Sequence, residues 1–273
     1  ATALLDREFS ETMKTLAISG KGGTGKTTIA ALIIRWLREH VAKPILAVDA
    51  DSNVNLNDLL GVEVKDTIGS IREEMRRLVT SLPGGMTKQE FLEYKIQTCL
   101  VEAAGFDLIA MGRPEGPGCY CYANSLLRDI LYKLSANYAY IVIDNEAGME
   151  HLSRRTVQDI DYLLIVADPT VRGVRAASKI SRLLLELDTR VREKYLILNR
   201  APVVISQPVK RIIEEEGLNH LSSIPEDDQL LKMDQKGEAI WNVRADSPVY
   251  QAVHQFMTKF IEAKKIYREI HES

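Results

Sequence analysis

The run Ser19-Gly20-Lys21-Gly22-Gly23-Thr24-Gly25-Lys26-Thr27-Thr28 lies between an apolar stretch, Thr15 to Ile18, and an amphipathic one, Ile29 to Leu37. This order predicts a strand, a tight glycine-rich turn and a helix, which commits the chain to an α/β layout. Gly20 to Thr27 complete the pattern G-x-x-x-x-G-K-T. In such a loop the backbone N–H groups running through Gly22, Gly23, Thr24, Gly25 and on to Thr28 close around phosphate oxygens, and the helix N-terminus adds partial positive charge. Lys26 reaches the outer phosphates and Thr27 offers its hydroxyl to Mg²⁺. The pattern points to a nucleoside triphosphate. A further cation, Lys21, sits inside the loop, either as a solvated lysine or as a charge held beside the phosphates.

With Lys21 included, G-K-G-G-T-G-K-T resembles the loop of the ParA/MinD/nitrogenase-iron-protein class of ATPases. In that class the added lysine crosses a two-fold axis to the partner subunit's nucleotide, so the resemblance implies an ATP-dependent homodimer. Two more segments, Arg113-Pro114-Glu115-Gly116-Pro117-Gly118-Cys119-Tyr120-Cys121 and Asp144-Asn145-Glu146-Ala147-Gly148 through Arg155, look like the CooC group. Those ATPases help insert nickel into carbon monoxide dehydrogenase, and sister proteins serving acetyl-CoA synthase look very similar. The likeness runs from Met13 to roughly the C-terminal helix. It implies ATP/ADP and Mg²⁺ as cofactors, and one of those two enzymes as client.

At 273 residues, 45% hydrophobic and net charge −3, the chain can bury one substantial core. One domain is expected over residues 13–273. Residues 1–12 do not share the patterning of the rest of the chain and read as a remnant or a short extension ahead of Met13, with no function assigned. No apolar run approaches the length of a membrane span, no secretory signal precedes the first strand, and the cysteines are too few for a disulfide framework. A cytoplasmic protein is expected, without stable membrane association. The slight acidity and the lack of long Lys/Arg runs argue against a nucleic-acid footprint.

Pro44 to Asp51 reads as a second buried parallel strand ending in carboxylates, and apolar runs recur at Phe106 to Met111, Tyr140 to Asp144, Tyr162 to Ala167 and Tyr195 to Leu198. Amphipathic segments alternate with them at Ala123 to Leu134, Gly173 to Leu187 and Val209 to Glu216. The alternation predicts a doubly wound, mostly parallel sheet flanked by helices, the P-loop NTPase fold. Pro83-Gly84-Gly85 marks a loop between helical stretches. Val249 to Ile270 carries apolar residues at helical spacing among lysines, which fits a core-facing helix and, as the alternative, a basic membrane-surface helix.

Ligands of such sheets sit beyond the carboxyl ends of the strands, so Asp49, Asp51 and Asp144 can all project toward the phosphates. By resemblance, Asp144 supports Mg²⁺ through coordinated water, Asp51 positions or activates the attacking water, and Gly148 lets the backbone approach the terminal phosphate. The alternative for each acid is a carboxylate capping the following turn. Asn199-Arg200-Ala201-Pro202 lacks the aspartate with which N-K-x-D segments accept from guanine, which favours ATP over GTP. Asn199 is then expected to read the adenine edge and Arg200 to border it. Ile224-Pro225-Glu226-Asp227-Asp228 resembles the other wall of the adenine pocket in this class, the alternative being a plain turn.

Cys119 and Cys121 flank a single tyrosine. Their soft thiolates suit Ni²⁺ or Zn²⁺, and in an extended segment both would face one side. Two ligands are half of a tetrahedral sulfur site, and a two-fold axis would supply the other half. Two buried or free cysteines are the alternative, and Cys99 reads as an apolar filler. A nickel-inserting metallochaperone ATPase is thus the leading expectation. An iron–sulfur redox ATPase resembling the nitrogenase iron protein, and a MinD/ParA-like partitioning ATPase, are the others.

Overall fold

A computed structural model describes residues 14–77, 85–113, 121–146, 159–183 and 190–271. Its strands are β1 (Lys14–Gly20), β2 (Ile45–Ala50), β3 (Val101–Ala103), β4 (Phe106–Ala110), β5 (Tyr140–Asn145), β6 (Asp159–Ala167), β7 (Arg190–Leu198) and β8 (His220–Ser223). They form one sheet in the order β3-β4-β2-β5-β1-β6-β7-β8. The edge strand β3 is antiparallel to β4 and the remaining pairs are parallel. Helices α1 (Lys26–His40), α2 (Leu56–Leu60), α3 (Ile68–Arg77), α4 (Lys88–Cys99), α5 (Cys121–Leu134), α6 (Val171–Leu183), α7 (Gln207–Glu215), α8 (Asp228–Gln235) and α9 (Pro248–His271) flank it.

The central strands are mostly apolar because each must bury both faces, with polar residues confined largely to their ends. Successive residues divide between two cores. In β5, Ile141 and Ile143 join the core that also holds Leu127 of α5 and Val174 of α6. Tyr140 and Val142 join the opposite core with Ile29, Ile33 and Leu37 of α1 and Phe256 of α9. Cys99 lies in the first core, where burial pushes its thiol up to about 12, so it is an apolar filler. The sheet extends from β1 in both directions, with β5, β2 and β4 on one side and β6, β7 and β8 on the other, and the chain crosses from the first side to the second between β5 and β6. The crevice at this reversal lies beyond the carboxyl end of β1, where the glycine-rich loop begins.

β3 and β8 carry no apolar run. Val101-Glu102-Ala103 and His220-Leu221-Ser222-Ser223 occupy the two edges, where one side of each strand is free of the sheet and short, half-polar segments suffice. α9 faces the core over its first half: Val253, Phe256, Met257 and Phe260 are buried, and Phe260 stacks on Tyr162 with ring centroids 4.7 Å apart. Arg35 ties this region to α1, donating to Ile240 O at 3.1 Å and Val243 O at 2.5 Å while its guanidinium lies over the Tyr250 ring. No described helix is long and apolar enough to cross a membrane.

Candidate nucleotide site

Three glycines shape the loop. A Cβ on Gly20 would come within 2.3 Å of Val166 O, so only glycine lets β1 end flush against β6. Gly25 takes the left-handed conformation, φ 87°, as the residue before α1, and a Cβ there would lie 2.4 Å from Asn199 Nδ2. Gly23 is also left-handed, φ 78°. Thr24 is buried and its Oγ1 donates to Lys21 O at 2.9 Å, pinning the turn from inside. Lys26 is 8% exposed and its Nζ donates to Lys21 O at 3.3 Å. Lys21, Gly22 and Gly23 form the exposed crest. No acidic side chain occupies the first turn of α1 and no side chain caps it, so its terminal N–H groups face an anion unopposed.

The strand-end carboxylates separate into distinct environments. Asp144, 1% exposed at the end of β5, accepts a hydrogen bond from the Thr27 side chain, while its Oδ1 is buried without a partner. Burial pushes its pKa up to about 7; nearby Asp49 and Asp51 add to the rise, and Thr27 and Lys26 oppose it. Hydroxyl and carboxylate oxygens with one lone-pair set unclaimed fit a hard divalent cation such as Mg²⁺.

Asp49 does not project into this space. It is fully buried and accepts from the backbone N–H groups of Asp51 (3.0 Å), Asn55 (2.8 Å) and Leu56 (2.9 Å). The loop after β2 turns back over it, so its carboxylate organises that loop and the start of α2 instead of facing phosphate. Burial raises its pKa, and those three donors hold the rise in check. Asp51 stands at the loop's opening, part-exposed, with Oδ1 accepting from Asn53 N at 2.8 Å.

Beside the loop, a cavity of about 130 Å³ is lined by Gly25, Thr28, Asn199, Arg200, Pro225, Glu226 and Asp227, over an apolar floor that includes Ile29 and Met233. The two segments read from sequence as base-binding therefore meet at one opening with the start of α1. Three of their polar side chains already have partners within the protein. Asn199 Nδ2 donates to Thr24 O at 2.8 Å, and Arg200, at a left-handed φ of 51°, donates to Gly23 O at 3.1 Å and lies 3.8 Å from Asp168. Both residues thus clamp the phosphate loop from outside. Asp227 caps α8, accepting from Gln229 N and Leu230 N, and receives the Ser247 hydroxyl at 2.6 Å. It lines the opening, but its carboxylate is spent on structure.

The CobQ/CobB/MinD/ParA nucleotide binding domain matches residues 15–240, which span the loop, both acid-bearing strand ends and the base cavity. The chain belongs to this family. It is 41% identical over 91% of its length to an uncharacterized ATP-binding protein of Methanocaldococcus jannaschii, of which it covers 99%. It is 28% identical over 90% of its length to the carbon monoxide dehydrogenase accessory protein CooC of Rhodospirillum rubrum, covering 96% of that protein. Among solved structures, the MinD cell division protein of Aquifex aeolicus superposes with a TM-score of 0.66 at 25% identity, covering 91% of this chain and 97% of that one. This member of the CobQ/CobB/MinD/ParA family is a P-loop ATPase with the fold of its MinD and ParA relatives.

Cys119 and Gly148 lie outside the described residues. Cys121 is the first residue of α5, and the conformation of the pair lies outside the described residues. Among the described residues, no cluster of three metal-ligating side chains occurs. Sequence reasoning missed Asp234 and Glu238, which line the opening from the end of α8. Gly237 between them, in the left-handed region, was the available signal for a helix stop there.

Proposed function

We propose that the chain is an ATP-driven metallochaperone acting as a homodimer, which carries nickel on Cys119 and Cys121 and delivers it to carbon monoxide dehydrogenase or acetyl-CoA synthase. The nucleotide half of this reading rests on the buried Asp144 carboxylate set against Thr27 with one oxygen unclaimed. Thr27 and Asp144 would hold Mg²⁺, which when bound offsets charge on the outer phosphates. Lys26 swings from Lys21 O to those phosphates, and the N–H groups from Gly22 to Thr28 enclose them. Asp51 positions the attacking water, Gly148 follows the terminal phosphate, and Lys21 reaches the partner subunit's nucleotide. Asn199, Arg200, Pro225, Glu226 and Asp227 border the adenine.

The cargo half rests on the Cys119-Tyr120-Cys121 spacing and on the likeness to CooC. ATP closes the dimer, closure brings four thiolates together, and hydrolysis releases them. Zn²⁺ would suit the same thiolates. No nucleic-acid partner and no stable membrane association are proposed. The likeness to MinD favours a second reading, a partitioning ATPase, which leaves the cysteine pair without a task.

Metal content and oligomeric state, measured with ADP, with ATP and without nucleotide, test the proposal. The expected result is about one nickel or zinc per ATP-bound dimer, with metal–sulfur distances of about 2.3 Å for zinc. Cys119→Ser or Cys121→Ser should each abolish tight metal binding, because each removes two ligands from the symmetric site. One metal per isolated monomer would sink the shared site. Iron with labile sulfide would favour the redox alternative, and ATP-dependent retention on liposomes or DNA would favour partitioning. In the same preparation, Asp51→Ala should bind ATP normally and hydrolyse it at least about 100-fold more slowly, a loss typical of general-base removal. Unchanged turnover would move the water-positioning role elsewhere.

A further inference from the structure

At the opposite end of the sheet from the phosphate loop, a cavity of about 450 Å³ opens where Ile45 begins β2 and Phe106 begins β4. Ligands of such sheets bind beyond the carboxyl ends of the strands, whereas this cavity lies at their amino ends and shares no lining residue with the nucleotide opening. Its charged lining is two cations, Arg38 and Lys43, against one carboxylate, Asp107, in a chain of net charge −3.

Arg38 is held in position. Its stem passes so close to Gly105 that a Cβ there would lie 2.9 Å from Arg38 Cγ, and Gly105 takes the left-handed φ of 90° that favours glycine. The guanidinium then lies over the Trp241 ring, 4.5 Å from its centroid, and that ring is fixed in turn by its indole N–H, which donates to Leu60 O at 2.8 Å. A guanidinium resting its face on an aromatic ring keeps its N–H edge for a ligand, and an oxyanion matches that fork. Among the described residues, neither Arg38 nor Lys43 forms an ion pair. In the same lining, Asp107 Oδ2 accepts from the Tyr138 hydroxyl at 2.5 Å. Burial and that bond push the Tyr138 pKa up, so the hydroxyl stays a donor and Asp107 an acceptor. A phosphate monoester brings a charge of roughly −1.5 to −2 at pH 7, which answers two cations better than a lone carboxylate does. A bare phosphate would meet Asp107 as a like charge, but a hydroxyl on the same molecule gives that carboxylate a donor.

We propose that this cavity is a second ligand site, which takes a phosphate monoester carrying a hydroxyl group, with Arg38 and Lys43 on the phosphate and Asp107 accepting from the hydroxyl. The test is an amide NMR titration of the full chain in saturating Mg-ADP, which fills the phosphate loop, with glycerol 3-phosphate, propyl phosphate and glycerate as probes. Glycerol 3-phosphate should shift the amides of Lys43, Gly105 and Asp107, leave those of Gly23 and Gly25 in place, and bind with a Kd below about 1 mM. Propyl phosphate lacks the hydroxyls and glycerate lacks the second charge, so each should bind about ten-fold more weakly. Arg38→Gln should weaken glycerol 3-phosphate about ten-fold, the scale of a charge-assisted hydrogen bond, with ATP affinity unchanged. Lys43→Ala, at an exposed loop position where folding is not at stake, should weaken it about three-fold. Shifts confined to Gly23 and Gly25, or no saturation by about 10 mM, overturn the site. So does undiminished affinity in both variants. Equal affinity for all three probes overturns the assignment of the ligand.

Discussion

Lys26→Ala is expected to weaken ATP binding about 100-fold, read by titration calorimetry, since hydrogen bonds to charged groups contribute roughly 1.5–3 kcal/mol and about 1.4 kcal/mol is a factor of ten. Without a ligand, the amine spends itself on one carbonyl, Lys21 O at 3.3 Å. Phosphate oxygens replace that neutral acceptor with charged ones, in a pocket where Lys26 is largely shielded from water. Loss of folding would not account for the effect, because α1 is anchored through Ile29, Leu32, Ile33 and Leu37. Circular dichroism of the variant should therefore match the parent. ATP affinity within about three-fold of the parent would remove Lys26 from the site.

Asp144→Asn is expected to act on stability, raising that of the nucleotide-free protein by up to about 4 kcal/mol above pH 7, at about 1.4 kcal/mol per unit of raised pKa. The folded protein keeps a proton on Asp144 to about pH 7, whereas the ordinary value is 3.8. Across that window the folded state binds more protons than the unfolded one, so stability falls as pH rises and stays low above it. Below it, both states are protonated and the carboxyl costs nothing. The amide has no such proton to lose, so the two proteins should unfold alike near pH 4 and diverge by pH 8, in chelator, by urea or thermal denaturation. A difference independent of pH would mean that Asp144 is not ionised at a cost. The gain should come with lost hydrolysis, the usual exchange where a strained site does the chemistry.

Much of the fold was legible because buried parallel strands write themselves as apolar runs. Tyr140 to Asp144 and Phe106 to Met111 were read within a residue of β5 and β4. The helix read over Gly173 to Leu187 begins at Val171, and its described part ends at Leu183. The edge strands β3 and β8 escaped, since an edge strand needs no continuous apolar run. For α9, helical spacing left core and membrane surface open. Burial of Phe260 against Tyr162 and Tyr195, with Phe256 packed edge-on against Phe260, gives its first half to the core.

The phosphate loop was determined by sequence alone. Its chemistry is local: glycines at left-handed positions, a lysine and a hydroxyl lie within a single turn, and no distant residue is needed to recognise them. The acids were not decided in this way. Asp49, Asp51 and Asp144 look alike as carboxylates at strand ends, yet Asp49 is consumed by three backbone donors of its own loop, while Asp144 keeps an oxygen free beside Thr27. Only the path of the chain after β2 separates them. The clamp of Asn199 and Arg200 on Thr24 O and Gly23 O, and the approach of Asp234 and Glu238 to the same opening, likewise belong to the tertiary structure. These residues are far from the loop in the chain, and it is the order of strands around β1 that carries them to it.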